Sequence, residues 1–434
     1  MKKFFILSLF FILSDFLAAQ NTNPALIGYW HNWNDTKAPY IPLDQVDSAY
    51  TIINIAFAEP KAGTSYSMVF NPDMVSTSTL KGQIKTLQNK GKKVLISIGG
   101  ANATIALNTI AERDSFITTM NSIIATFGFD GIDIDLEGSS ITVSGGTIAS
   151  PVDAKINHLI AAIKQIMADF YGQNNTKMML TMAPETAFVQ GGMSAYSGIW
   201  GAYLPIIEAL RDSIDVLHVQ LYNSGSMYGI DKNIYNQGSA DFIIAMTEAV
   251  IKGFNTAGGT YSGLPAHKVA VGLPACPSAA GGGYTDTATV KKALDYLRGS
   301  GTQPGSYALS QNGGYPNLRG MMTWSINWDA RSDCATRYEY ATNFNKIFAK
   351  PTAGINAIRL NTLSIKPNPA HDAIFIDPVY SYAKSSNISI YNSLGTVVLE
   401  CPAENKSMHL DISNLPNGIY LLKYQDNYYK FIKN

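Results

Sequence analysis

Residues 127–137 read Phe127-Gly128-Phe129-Asp130-Gly131-Ile132-Asp133-Ile134-Asp135-Leu136-Glu137. Apolar and acidic residues alternate, and strand side chains alternate between faces with period two. Ile132, Ile134 and Leu136 therefore share one face, and Asp133, Asp135 and Glu137 share the other. Successive acids on that face stand ~7 Å apart along the backbone. Three carboxyls in a row repel unless hydrogen bonds or a shared proton compensate. A strand over 127–136 with catalytic acids at its C-terminal end accounts for that order. A solvated edge strand does not fit the apolar face or the flanking Phe127 and Phe129. A metal site fits poorly, because ligand oxygens must converge to ~2.0–2.6 Å and no His or Cys is near in sequence. Asp130 has the opposite parity and reads as structural.

Seven further short apolar segments recur at 26–30, 51–58, 93–98, 178–183, 215–222, 269–273 and 321–326. They have the composition of buried parallel strands. Helical periodicity lies between them, as in Phe116, Met120, Ile123, Ile124 and Phe127, or Ile156, Leu159, Ile160, Ile163 and Met167. Eight strands alternating with helices over ~330 residues predict an α/β fold, a (β/α)8 barrel at 20–350, with its site at the C-terminal strand ends. Pro351 to Asn361 reads as a linker. From 362 to 434 the helical period vanishes. Runs at 374–376, 388–391, 397–399, 419–424 and 428–432, with Asn, Gly and Pro turns, predict a small β-sandwich.

The 434 residues carry 32 Lys+Arg and 32 Asp+Glu, a net charge of zero. Nucleic-acid binding needs a basic footprint, so a neutral ligand is expected. Residues 1–19 have the form of a secretory signal peptide: Met1-Lys2-Lys3, an apolar run to Leu13, and small residues at Ala18 and Ala19. That run is too short to span a bilayer, and no other segment is long and apolar enough. The three cysteines, Cys276, Cys334 and Cys401, form no zinc motif. Cys276 and Cys334 pair if their loops meet; otherwise all three are thiols.

The acids Asp130, Asp133, Asp135 and Glu137 fit the pattern D-x-x-D-x-D-x-E, which resembles the signature of family 18 glycoside hydrolases, the chitinase family. Ser97-Ile98-Gly99-Gly100 is similar to its third-strand motif, where glycines permit close backbone approach. Met182-Ala183-Pro184-Glu185 through Gly192 resembles the fifth strand and loop of bacterial D-type members. Gln220-Leu221-Tyr222-Asn223 and the Trp324-Ser325-Ile326-Asn327-Trp328-Asp329 run resemble the sixth and eighth strand ends. The resemblance implies a sugar floor at Trp324, a cis peptide after it, and an acetamido contact from Tyr222. Tyr29, Phe57, Met182, Gln220 and Asn223 are expected to line the substrate site; many family members carry Asp where this chain has Asn223. The tail resembles the type IX secretion sorting domain through Ile365-Lys366-Pro367-Asn368-Pro369, Ile390-Tyr391-Asn392 and Pro416-Asn417-Gly418-Ile419-Tyr420. A carbohydrate-binding module would need exposed planar aromatics, and there is no Trp after Trp328.

Ordinary retaining glycosidases hold two carboxylates ~5–5.5 Å apart across the sugar, whereas these acids share one strand. The resemblance implies substrate assistance instead. Glu137 is the acid and then the base, the substrate's acetamido oxygen is the nucleophile, Asp135 orients that group, and Asp133 shares a proton with Asp135. A chain of this kind is secreted, needs no metal or cofactor, cuts chitin or N-acetylglucosamine oligomers, and partners the secretion machinery. The brevity of the stretch between the seventh and eighth strands predicts an open cleft without an inserted α+β module. Two alternatives remain open: an endo-β-N-acetylglucosaminidase acting on N-glycans, and a barrel lectin or inhibitor without catalysis.

Overall fold

Short β-branched segments that cannot bury both faces alone must share a sheet, and here they close a ring. The computed structural model describes residues 24–348, 364–377, 387–402, 407–424 and 427–434. The expected signal peptide (1–19) and linker (351–361) lie outside those residues. The barrel strands are β1 (Ala25–His31), β2 (Ile52–Pro60), β3 (Lys93–Gly99), β4 (Gly131–Asp135), β5 (Met179–Met182), β6 (Val216–Leu217), β7 (Ala270–Pro274) and β8 (Gly320–Trp324). All pair in parallel, in the order β7-β8-β1-β2-β3-β4-β5-β6. Parallel bridges Leu217↔Val269 and Gln220↔Gly272 join the two ends.

Three expectations change in detail. The stretch at 127–136 is not one strand: a helix, α2 (Ile110–Phe127), runs through Phe127 and ends on left-handed Gly128 (φ 71°). β4 begins only at Gly131, where an added Cβ would lie 1.9 Å from the Met179 carbonyl oxygen, so nothing but glycine fits. The sixth segment is regular only at Val216–Leu217, and beyond it the chain continues through bridges. Strand–helix alternation also fails once. Between β1 and β2 stands only a 3-10 turn, Leu43–Gln45. Pro39 and Pro42 disfavour a helix there, and Leu43, Val46 and Tyr50 cover the sheet instead. The other helices are α1 (Thr77–Asn89), before α2, and then α3 (Ala154–Asn174), α4 (Leu204–Leu210), α5 (Ala240–Lys252), α6 (Thr287–Leu297), α7 (Ile326–Asp329) and α8 (Glu339–Phe348).

Outward side chains such as Trp30, Ile53, Ile96, Ile134 and Met182 pack against the helices in one large core. Inward ones, including Ile27, Ile52, Leu95, Val216 and Met322, form a separate apolar plug inside the barrel. Between β7 and β8 the chain holds a 3-10 turn and α6 but no strand, so no α+β module is inserted. Cys276 and Cys334 are bonded to each other, which resolves the open alternative. Their bridge ties the loop after β7 to the segment after α7, beside Trp328 and Trp324.

The chain divides into two units, Met1–Ala349 and Lys350–Asn434. The second contains two antiparallel sheets. One is β9 (Ser364–Lys366), β10 (Ala373–Asp377) and β13 (Met408–Asp411). The other orders β12 (Val397–Pro402), β11 (Asn387–Tyr391), β14 (Gly418–Tyr424) and β15 (Asn427–Lys433). Ile374, Ile376, Ile388, Ile390, Leu422 and Phe431 form its own buried core, as a sandwich requires.

Candidate active site

Period-two alternation carries Asp133 and Asp135 into the barrel. Register sets Asp133 beside Ser97 of β3 and Thr181 of β5. Its Oδ2 accepts from Tyr29 Oη (2.6 Å) and Ser97 Oγ (2.7 Å). Its Oδ1 accepts from Thr181 Oγ1 (2.5 Å) and faces His218 Nε2 at 3.3 Å. Asp133 is fully buried. Burial alone would raise its pKa, yet the contacts from His218, Thr181 and Tyr29 outweigh it and hold Asp133 below the usual carboxylate range.

One pleat higher, Asp135 Oδ1 accepts from Gln220 Nε2 (2.9 Å). The same amide reaches Glu137 Oε1 (3.1 Å) and the Ala183 carbonyl (3.0 Å). Glu137 stands beyond the end of β4, half-buried, where the chain turns into a 3-10 segment. Tyr203 buttresses that turn by accepting from Leu136 N (2.7 Å) and donating to Leu136 O (3.0 Å). Burial, then the charges of Glu137 and Asp133, push Asp135 well above the usual range. Glu137 is raised by burial and by the neighbouring charge of Glu185, against the lowering effect of Gln220. Glu185 Oε1 accepts from Gly138 N (3.4 Å), and burial raises it as well.

Asp135 and Glu137 open into a cleft of about 320 Å³, lined also by Trp33, Phe57, Glu59, Gly99, Gly100, Gln220, Tyr222, Asn223 and Trp324 among others. The Trp324 and Phe57 rings stack with centroids 5.9 Å apart, and Trp33 continues the series at 6.3 Å from Phe57. Tyr29 packs on Trp324 from below, centroids 5.7 Å apart. The peptide after Trp324 is cis, as the resemblance implied, and so is Ala56–Phe57, which nothing in the sequence signalled. Gly99 (φ 113°) lets β3 approach the Asp135 carbonyl, and Gly100 N donates to that oxygen (2.8 Å).

Asp130 lies at the other end of β4, with its carboxylate accepting from Lys93 Nζ (3.0 Å), Val94 N (2.9 Å) and Gln88 Nε2 (3.1 Å). A larger depression of about 500 Å³ opens near it, but Asp130 and Asp215 there are paired with Lys93 and Lys177. Met182 is a correction. Its neighbours Thr181 and Ala183 point inward, so Met182 points outward, fully buried in the helix-side core and away from the cleft. Trp33, Glu185, Thr181 and His218 stand in or beside the site without a role assigned by any of the motifs. Period-two counting from Ala183 and Gln220 would have found Thr181 and His218. Among the described residues no cluster of three His, Cys, Asp or Glu could hold a metal ion.

Residues 25–349 match the profile of Glycosyl hydrolases family 18. The chain belongs to that family. Residues 364–434 match the Secretion system C-terminal sorting domain, which marks the chain for export. A chitinase from Paenibacillus xylanexedens and chitinase D from Niallia circulans are each 48% identical, over 310 and 311 residues. Those matches cover 70% of this chain and 58% of each relative, so the chain spans little more than half their length. Chitinase ChiA of Flavobacterium johnsoniae is 35% identical over 393 residues, 85% of this chain and 24% of that protein. The crystal structure of a family 18 chitinase from Chromobacterium violaceum superposes with a TM-score of 0.67 at 37% identity, covering 75% of this chain and 84% of that one.

Proposed function

We propose that this family 18 member is a secreted chitinase that hydrolyses β-1,4 bonds between N-acetylglucosamine units, endo-acting and with retention through substrate assistance. The observation that carries the reading is the Asp135–Gln220–Glu137 cluster at the foot of an aromatic-lined cleft. Glu137 keeps its proton to higher pH than an ordinary glutamate and donates it to the glycosidic oxygen. Trp324 supports the sugar from beneath, and Tyr222 and Asp135 hold the acetamido group. Its oxygen closes on the anomeric carbon, giving an oxazolinium ion whose positive nitrogen Asp135 stabilises. Glu137, now a base, activates the water that opens the ring. The chitinase names of the 48% identical relatives support the substrate over N-glycans. Export through the secretion machinery that reads the sorting domain completes the reading.

Glu59 on the cleft rim allows a second scheme, in which it serves as a carboxylate nucleophile. Two variants separate the schemes. Glu137→Gln keeps shape but delivers no proton, and kcat should fall ~10²–10⁴-fold or more. Glu59→Gln should retain retaining cleavage of a soluble oligomer, and loss as large as that of Glu137→Gln would install Glu59 as nucleophile. Time-ordered products with NMR of the first-formed anomer test the rest. Internal cuts giving the β-anomer are expected; release of N-glycans from a glycoprotein in preference to chitin cleavage would overturn the substrate.

A further inference from the structure

An antiparallel sheet with one face on a core and the other in water alternates apolar and polar residues along each strand. In the sorting unit, β14 breaks that rule. Tyr420 and Leu422 turn into the sandwich core, while Ile419 and Leu421 turn outward, 49% and 39% exposed. Register extends this outward face sideways. Val397 of β12, Tyr391 of β11 and Leu421 stand in one row, and Ile419 stands beside Ile432 of β15 in the next. Tyr428 of β15 closes the patch, its ring centroid 6.1 Å from that of Tyr391. With strands ~4.8 Å apart, the row crosses about 10 Å of sheet. Two lysines stand in the patch. Lys430 faces Leu421 across the ladder, and Lys423 Nζ lies over the Tyr428 ring at 5.7 Å. Neither has a carboxylate partner among the described residues. The outward face of the other sheet differs, since Phe375 stands there beside the exposed His409 and Asp411.

We propose that this outward face of β11, β12, β14 and β15 is the surface by which the export machinery reads the sorting unit, and that it docks on an apolar protein surface rimmed with carboxylates that meet Lys423 and Lys430. The inference rests on the export reading above and gives it a surface. Leaving Val397, Ile419, Leu421 and Tyr428 in water forgoes ~25 cal/mol for each Å² of apolar area that burial would remove. The fold itself does not use them, because Ile374, Ile376, Ile388, Ile390, Leu422 and Phe431 already fill the sandwich core. A contiguous apolar patch with charge at its rim has the composition of a docking site. Charge then selects the partner. The described residues of the face set Lys423 and Lys430 against Glu400 alone, and Glu400 Oε1 already accepts from Ser389 Oγ (3.3 Å) and Asn387 Nδ2 (3.4 Å). Two copies of the face brought together about a two-fold axis would join two net positive surfaces, which disfavours a second copy of this chain as the occupant.

The test is the exported fraction of the full chain, medium against cells, in a host that uses the sorting domain. Ile419→Thr with Leu421→Thr puts β-branched residues at exposed strand positions, so the strand is kept and only the apolar face is lost. The exported fraction should fall about tenfold or more, as it does when central apolar anchors leave an interface. Lys423→Glu with Lys430→Glu should lower it by an independent route. Leu421→Ile, and Phe375→Ser on the other sheet, should stay within about twofold of wild type. The melting curve and kcat/KM on a soluble N-acetylglucosamine oligomer report whether each purified chain is folded. If the threonine pair unfolds the tail, the lysine pair alone decides. Normal export of the folded threonine pair overturns the surface, and normal export of the lysine pair overturns the acidic partner. A loss of the same size in Phe375→Ser overturns the choice of face. Two other occupants would show in the purified wild-type chain. A dimer that the threonine pair makes monomeric, or binding to phosphatidylglycerol vesicles that the threonine pair abolishes, overturns the proposal. A chain ending at residue 349 separates the two levels. Its export at the level of the full chain refutes the sorting reading; its retention, with both double variants exported, refutes this inference alone.

Discussion

Glu137 has its acidity tuned by neighbours that differ in sign and reach. Glu185 contributes a like charge that helps hold the proton on Glu137, while the Gln220 amide favours the ionised form. Glu185→Gln removes the like charge, so Glu137 should ionise at lower pH and the alkaline limb of kcat/KM should move down. Asn223, exposed on the same cleft, works in the other direction. Asn223→Asp adds a like charge, and the alkaline limb should move up, by less than the ~1.5 units that ~8 Å and an effective dielectric of ~20 would give without screening. Profiles of the two variants and wild type on one soluble oligomer check both signs together. Shifts in the same direction would mean that charge at Glu137 is not what either residue controls.

The short helix α7 links the cleft to the barrel's outer wall through Asp329. That buried carboxylate accepts from Tyr50 Oη (2.6 Å), Tyr340 N (2.8 Å) and Ala341 N (3.2 Å), holding the end of the Trp324–Trp328 segment against the 43–50 turn and α8. Burial raises Asp329 from 3.8 to about 6 despite those donors. A carboxyl raised in the folded state favours folding while protonated in both states, below pH ~4. Its contribution declines as pH rises through about 6, and is constant above. The decline amounts to about 3 kcal/mol at most. Asp329→Asn cannot ionise. Whatever its absolute stability, its loss on going from pH 4 to pH 7 in urea melts should be smaller than wild type's, by up to that amount. An unchanged pH dependence would show that Asp329 does not ionise over that range.

On the scale of the whole molecule, two cores carry two tasks. The barrel core and the sandwich core are separate clusters of buried residues, and the described residues that line the cleft all belong to the barrel unit. A chain ending at residue 349 should therefore retain the kcat/KM of the full chain on soluble oligomers within about twofold, since buried contacts set local stability. The same truncation should abolish export from a host that uses the sorting domain. Purified truncated protein with a greatly reduced kcat/KM, and a melting curve like that of the barrel in the full chain, would place part of the active machinery in the tail.

Sequence by itself determined the barrel, the acids and the tail, because each rests on a local period. Alternation puts Asp133 and Asp135 on one face, apolar runs of strand length recur at barrel spacing, and turn-rich strands without a helical period mark the sandwich. The Cys276–Cys334 bond, the Gln220 amide shared by Asp135 and Glu137, and the aromatic row from Trp33 to Trp324 were decided only by tertiary structure. Each joins residues far apart in the chain, and parity can say which way a side chain points but not what it meets. Met182 shows the limit from the other side. Its motif placed it at the site, and its inward neighbours Thr181 and Ala183 turned it to the helices. His218 shows the same limit. It is an unremarked residue in an apolar strand until closure of the barrel carries it to 3.3 Å from Asp133, in an interior where an unpaired carboxylate could not persist.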